Sequence, residues 1–365
     1  MNKKRVLAIF MILILCIVGC NKNISQKDSE NQFNVQLSKK VATRYLECLK
    51  RNDIEGANSM STSSLASQNK VKDLSDMPIL SFLVGNLVET GGSAYIEYIC
   101  ARNSKNTLNA SLDTVTLQVA KEDGEYKVSD VKSENIKEVY VDKDNLRSVI
   151  NGAGSDELIF RLNDLPTNIY PKDITPPIKK EKIPRNKFSS LGISYIGGKI
   201  GFATTDEKDS LIGIATVEQE KPSMASVGES IAQDSGTNSQ GVDDKTLKEI
   251  FEKPTAQKII CYDILRDSKI EDIIFTEGDG DLLVQYTKKG QKGTGLKIYK
   301  NPDGRLLSIE FEKLFPMDKY SIIYEMATKT ELIINVIPVG DKNNISQEIL
   351  GKYTIDLVKE EMNKI

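Results

Sequence analysis

The chain has 365 residues, 49 basic and 52 acidic side chains, a net charge of −3, and no histidine. The absence of His excludes Ser-His and Cys-His nucleophile systems, HExxH zinc sites and facial triads, and removes the side chain best suited to proton transfer near neutral pH. The acidic balance, with no dense basic patch in the sequence, argues against nucleic acid as a partner.

The first element is "MNKKRVLAIFMILILCIVGC". Lys3, Lys4 and Arg5 precede an unbroken apolar run from Val6 to Gly19. As a helix that run covers about 21 Å, short of the ~30 Å hydrocarbon core, so it reads as a secretory signal and not a span. Its end, Ile17-Val18-Gly19-Cys20, resembles the bacterial lipobox, with Ile17 in place of the usual Leu. The resemblance implies cleavage before Cys20, diacylglyceration of the Cys20 thiol and acylation of the new amino group; two or three chains hold a protein stably on a membrane. Losing residues 1–19, which carry three basic and no acidic side chains, would leave a mature net charge of −6. Of five cysteines, Cys16 would leave with the signal and Cys20 would carry lipid. Cys48, Cys100 and Cys261 match no zinc spacing and read as single buried thiols.

Residues 20–35 are polar and aperiodic and read as a flexible tether. Leu37, Val41, Tyr45 and Leu49 then recur every four residues, the apolar face of an amphipathic helix. Asp53 caps a second short helix through Ala57. In "SDMPILSFLVGNL", Ser75 or Asp76 as cap, Pro78 in the first turn and Ile79, Phe82, Leu83 and Leu87 inside predict a third helix. The period then becomes two: Ser93–Ala101 reads as a strand, Val115, Leu117 and Val119 alternate with polar residues, "KEDGE" turns, and Tyr126 starts the return strand. Helices followed by "TVTLQVAKEDGEYKVSDV", with "ATRYLECLKRNDIEGA" at the start, resemble the nuclear transport factor 2-like family over about residues 36–145. The resemblance implies a cone-shaped α+β fold with a pocket. It implies no reaction, since such folds host enzymes, binding modules and inert assembly domains.

Residues 146–185, with Pro171, Pro176, Pro177 and Pro184, read as an extended connector. Three strand-rich stretches follow, 191–217, 270–300 and 306–338, each with strands, turns and a polar hairpin. They resemble blades of a β-propeller of the Tol or WD-repeat type, with room for five at roughly 40–45 residues each. A β-sandwich or an irregular meander remains the alternative. "EQEKPSMASVGESIAQDSGTNSQGVDD", residues 218–244, reads as a mobile insertion, and Ile349, Tyr353, Leu357 and Val358 predict a closing helix. The fold expected is thus an α+β cone-shaped domain (36–145), then a mainly antiparallel β domain (186–365), partly propeller-like or a sandwich.

No motif announces a cofactor or metal. "KKGQKGTG" lacks the phosphate-loop pattern and reads as a hairpin; Asp279 and Asp281 in "EGDGD" lack a calcium loop's further ligands and read as a turn. Ser67/Lys70 and Ser129/Lys132 satisfy S-x-x-K without its companion motifs. An isomerase-like pocket would need an Asp base and a Tyr donor, types that Asp113 and Tyr98 supply. The expectation is a non-catalytic binding or assembly factor. It would be lipid-anchored through Cys20 to the extracytoplasmic face of the cell membrane, with an envelope protein as candidate partner and any small-molecule ligand left open. The alternative is an envelope enzyme, isomerase- or hydrolase-like, with its pocket in the N-terminal domain.

Overall fold

The computed structural model describes residues 33–68, 76–104, 106–152, 156–172, 179–217, 252–340 and 345–365. The signal, Cys20, all but the end of the tether and the insertion at 218–244 lie outside the described residues. No described helix is long and apolar enough to cross a membrane.

Helix α1, Val35–Lys50, starts where Asn34 Oδ1 accepts the amide N–H groups of Gln36 and Leu37 at 3.0 and 3.1 Å, which satisfies two of the helix's orphan donors. It buries Ala42, Tyr45, Leu46 and Leu49. Helix α2, Ile54–Ser59, is capped by Asp53, and α3, Ser63–Ser67, by Thr62. The expected third helix is instead strand β1, Ile79–Thr90. Pro78 opens a strand as readily as a helix, and the apolar run 79–84 suits both periods. The strand wins because Gly91 and Gly92, both at positive φ, turn the chain back and supply β2, Ser93–Asn103, as a partner. Strands β3, Asn109–Glu122, and β4, Glu125–Asp142, join through Asp123 and Gly124 at φ of 53° and 84°, the left-handed pair that a two-residue hairpin requires.

Strands β5, Asn145–Ile150, and β6, Glu157–Arg161, complete a six-stranded antiparallel sheet in the order β1 to β6. The span read as a connector therefore begins as sheet, because Leu146, Leu158 and Phe160 bury inward where an extended linker would expose them. Among the described residues, its later part holds a 3-10 turn, Leu162–Asp164, and the two-residue strands β7, Asn168–Ile169, and β8, Glu181–Lys182.

Three four-stranded antiparallel meanders follow. The first is β9 (Lys187–Ile193), β10 (Lys199–Thr205), β11 (Ser210–Val217) and β12 (Ala256–Leu265). The second is β13 (Ser268–Phe275), β14 (Asp281–Lys288), β15 (Thr294–Lys300) and β16 (Arg305–Leu306). The third is β17 (Tyr320–Ala327), β18 (Glu331–Pro338), β19 (Gly351–Asp356) and β20 (Glu361–Lys364). Successive four-stranded meanders are the blade unit of a propeller, and this region is propeller-like. The repeat is phased differently from the sequence reading: Leu306 ends the second meander, and a short helix α4, Phe311–Leu314, leads to the third. The closing helix is a correction too. Gly351 at φ 124° is poorly placed in a helix, and Tyr353, Ile355 and Leu357 bury at every second residue, which makes the tail a hairpin.

The sheets stack. Tyr45 and Leu46 of α1 cover one face of the six-stranded sheet at Ile96, Tyr98 and Leu117. Its other face, at Leu112, Val139 and Phe160, packs on Leu191, Ile200 and Phe202 of the first meander. The first meander packs on the second through Ile212, Tyr262, Phe275 and Leu282, and the second on the third through Leu283, Ile298, Ile322 and Ile334. Gly192 allows the first of these meander interfaces to close, since a Cβ there would lie 2.3 Å from the Ile273 carbonyl oxygen. The edge strand β17 of the third meander meets α1, where Lys50 Nζ donates to the Glu325 carbonyl and lies 4.1 Å from the Tyr324 ring centroid. The two ends of the stack thereby touch.

Candidate anion-binding cleft

At one rim the β10–β11, β12–β13 and β14–β15 turns converge around a cleft of about 740 Å³. The turns are built by local polar chemistry. Asp206 Oδ1 accepts the N–H groups of Lys208 and Asp209 at 3.1 and 2.8 Å, a side-chain turn that Asp forms readily. They are then laced together: Asp267 N–H donates to Asp209 Oδ1 at 2.9 Å, Ser268 N–H to Lys208 O at 3.1 Å and Lys289 N–H to Asp267 O at 2.7 Å. The Ser210 hydroxyl adds a bond of 2.7 Å to Ser268 O. This lacing fixes the backbone from which the charged side chains project.

Five lysines line the cleft, Lys187, Lys208, Lys269, Lys288 and Lys289, against two lining carboxylates, Glu207 and Asp267. Three of the lysines have carboxylate neighbours: Lys187 with Glu207 at 3.0 Å, Lys269 with Glu271 at 3.0 Å and Lys288 with Glu312 at 3.6 Å. Lys208 and Lys289 have no carboxylate partner among the described residues. Below them Phe188 and Leu108 give an apolar floor, and the Ser189 hydroxyl is buried with no hydrogen-bond partner among the described residues. Concave walls of one sign focus potential, so this wall concentrates anions although the whole chain is acidic. Ammonium groups and a buried hydroxyl bind carboxylate or phosphate oxygens.

The residues singled out in the sequence lie elsewhere. Tyr98 and Asp113 share a face of the sheet, since Tyr98 pairs with Val115 and Cys100 with Asp113 on β2 and β3. Each is engaged by other groups. Tyr98 is fully buried, its hydroxyl lies 2.9 Å from Thr43 Oγ1, and burial pushes its pKa up to about 12. Asp113 accepts from Arg102 Nε at 2.7 Å and from Asn135 Nδ2 at 2.9 Å. "EGDGD" is the turn between β13 and β14, where Asp281 accepts from Lys300 Nζ at 2.9 Å and burial raises the pKa of both Asp279 and Asp281. Ser67 and Ser129 bond to the Ser64 and Gln118 carbonyls, and Lys70 lies outside the described residues. Cys48, Cys100 and Cys261 are free thiols, and burial pushes Cys100 and Cys261 up to about 12. "KKGQKGTG" is a hairpin, and it also supplies Lys288, Lys289 and Gln291 to the cleft.

No protein-family model matches the chain, and no curated protein matches it in sequence. Solved structures that align with it include one of two prolyl endopeptidases (9% identity, TM-score 0.25), covering 94% of this chain and 54% of that one. A Bacteroides ovatus chain assigned as a dipeptidyl aminopeptidase IV aligns at 10% identity and TM-score 0.26, with coverage of 81% and 30%. An oligogalacturonate lyase in complex with manganese aligns at 8% identity and TM-score 0.30, with coverage of 79% and 85%. The chain thus spans about half the length of the first and under a third of the second. Likenesses at these TM-scores carry no argument about the site.

Proposed function

We propose that this protein is a lipid-anchored, extracytoplasmic, non-catalytic binding factor whose rim cleft engages an anionic group on an envelope partner. The observation that carries the reading is the convergence of five lysines from separate turns and strand ends into one cleft of a net acidic chain. Cys20 is the attachment point for the lipid, and the polar residues after it are the tether. On this reading the helix-covered half of the six-stranded sheet is a nuclear transport factor 2-like unit that serves as a spacer and platform. The meanders form a partial propeller that presents its loops. Lipid confinement raises local concentration, so a weak electrostatic contact suffices for function.

Titration of the mature chain without its lipid with tripolyphosphate and with polyglutamate, at low and high salt, tests the cleft. Binding is expected to weaken as salt rises and to fall at least tenfold in the Lys208→Gln/Lys289→Gln variant, which removes the two lysines without carboxylate neighbours. Equal affinity of variant and wild type for both probes, or no binding of either, would refute the assignment.

A further inference from the structure

A second concave site lies where the two ends of the stack meet, and it is independent of the rim. One wall is the face of α1 that carries Thr43, Glu47 and Lys50, three positions that helical periodicity aligns, together with Phe82 of β1. The facing wall is the third meander, where Ile323 and Met326 of β17 and Ile333 of β18 lie beside Glu325, Asn335 and Lys352. Between them is a cleft of about 680 Å³, within the size range of small-molecule sites. Ile323 and Met326 stay 40% and 44% exposed, while Ile322, packed toward the second meander, is buried at 1%.

Lys50 is the polar group that reaches across the cleft from α1 to β17. Its ammonium is set among protein atoms, donates to the Glu325 carbonyl and stacks on the Tyr324 ring. It forms no ion pair among the described residues, because the nearby Glu325 carboxylate is held by Lys352 at 2.6 Å. Desolvation lowers its pKa to about 7, against the opposing pull of Glu325, Glu47 and Asp272. A desolvated cation that is bonded to a carbonyl and a ring but to none of the carboxylates around it is stabilised by an incoming anion more than an exposed lysine is. The wall beside it accepts hydrocarbon. These two chemistries are adjacent in one cleft, and a single ligand that satisfies both has an apolar body and an acidic head.

We propose that the cleft between α1 and the third meander binds a small amphiphilic carboxylate. Its apolar body lies between Phe82, Ile323 and Ile333, and its carboxylate bonds the Lys50 ammonium. A neutral hydrocarbon leaves the Lys50 charge unanswered.

The test uses the mature chain without its lipid and three probes of equal chain length, decanoate, decanol and decylamine, measured by titration calorimetry. Decanoate is expected to bind at least tenfold more tightly than either of the others. Lys50→Met is expected to lower decanoate affinity at least tenfold and to leave decanol unchanged. Ile323→Glu, on an exposed strand face where folding tolerates charge, is expected to abolish decanoate binding with Lys50 still present, and it decides the matter if the Lys50 variant fails to fold. The rim variant Lys208→Gln/Lys289→Gln should bind decanoate as the wild type does, which separates this proposal from the first. Decanol binding as tightly as decanoate, absence of binding by all three, or full decanoate affinity in folded Lys50→Met or Ile323→Glu would overturn the proposal.

Discussion

Lys50 makes a prediction about stability that needs no ligand. Its pKa in the folded chain is lowered to about 7, and desolvation is the main cause. In the unfolded chain it returns to about 10.4. Between those values the unfolded state binds more protons than the folded state, so the Lys50 contribution to stability rises with pH across that window. Below pH 7 the full cost of the buried charge is present. The slope approaches about 1.4 kcal/mol per pH unit, and from roughly pH 7 to pH 8.5 the gain is about 2 kcal/mol, less whatever Glu47 and Glu325 relax to offset. The window must stop there. Cys100 and Cys261, raised to about 12 by burial, act in the opposite sense once their unfolded thiols ionise, and the buried tyrosines follow at higher pH. Comparing wild type with Lys50→Met cancels those groups, because both chains carry them. Urea unfolding followed by far-ultraviolet circular dichroism is the assay, with the midpoint read at several pH values and constant ionic strength. The wild-type midpoint should climb relative to the variant as pH rises through this window. Parallel midpoints would show that the Lys50 ammonium is well solvated and that the seam is open to water.

Other parts of the molecule give predictions of their own. Cys20→Ala should abolish incorporation of a fatty-acid analogue and leave an uncut precursor on a gel; unchanged labelling would remove the lipid anchor from the account. Gly192→Val should cost about 3 kcal/mol or more by forcing the first and second meanders apart at the Ile273 carbonyl, read as a lowered urea midpoint, and a wild-type midpoint would show that this interface is looser than described.

Period-two signals served well where each face of a strand had one consistent environment. Val115, Leu117 and Val119 are buried on the helix-covered face of β3, and the turn at Asp123-Gly124 falls where the sequence places it. The period misleads where an apolar run satisfies two templates. Ile79–Val84 fits a helix of one and a half turns or a strand, and its partner β2 decides the matter from outside the segment. The tail fails for the same reason: Tyr353 and Leu357 are four apart, but Ile355 between them is buried too, and only the strand explains all three. The candidate sites were less legible still. The lysines of the rim are scattered from residue 187 to residue 289, and only the stacking of two meanders brings them together. Thr43, Glu47 and Lys50 form a helical stripe visible in the sequence, but a polar stripe opposite an apolar one ordinarily faces water. That this one faces the end of the chain is a property of the tertiary fold.

That meeting of chain ends also explains why a cleft lies at the seam and not elsewhere along the stack. Between like meanders, two curved sheets of similar twist can match closely, and the glycines at 192 and 201 let the first pair approach until backbone nearly touches side chain and backbone. At the seam the partners are unlike, a helix flank against a twisted sheet. Convex meets saddle, so complete burial would need large side chains there. The chain instead places Thr43, Glu47 and Lys50 on the helix side and leaves Ile323 and Met326 partly exposed on the other. Ile365, the last residue of the chain, lines the same cleft and is 66% exposed. A seam lined by charged and aliphatic side chains together gains less from closing on itself than from closing on a molecule that carries both kinds of surface. The ligand proposed for it is therefore the missing part of the packing, and its binding should tighten the contact between the six-stranded sheet's helices and the last meander.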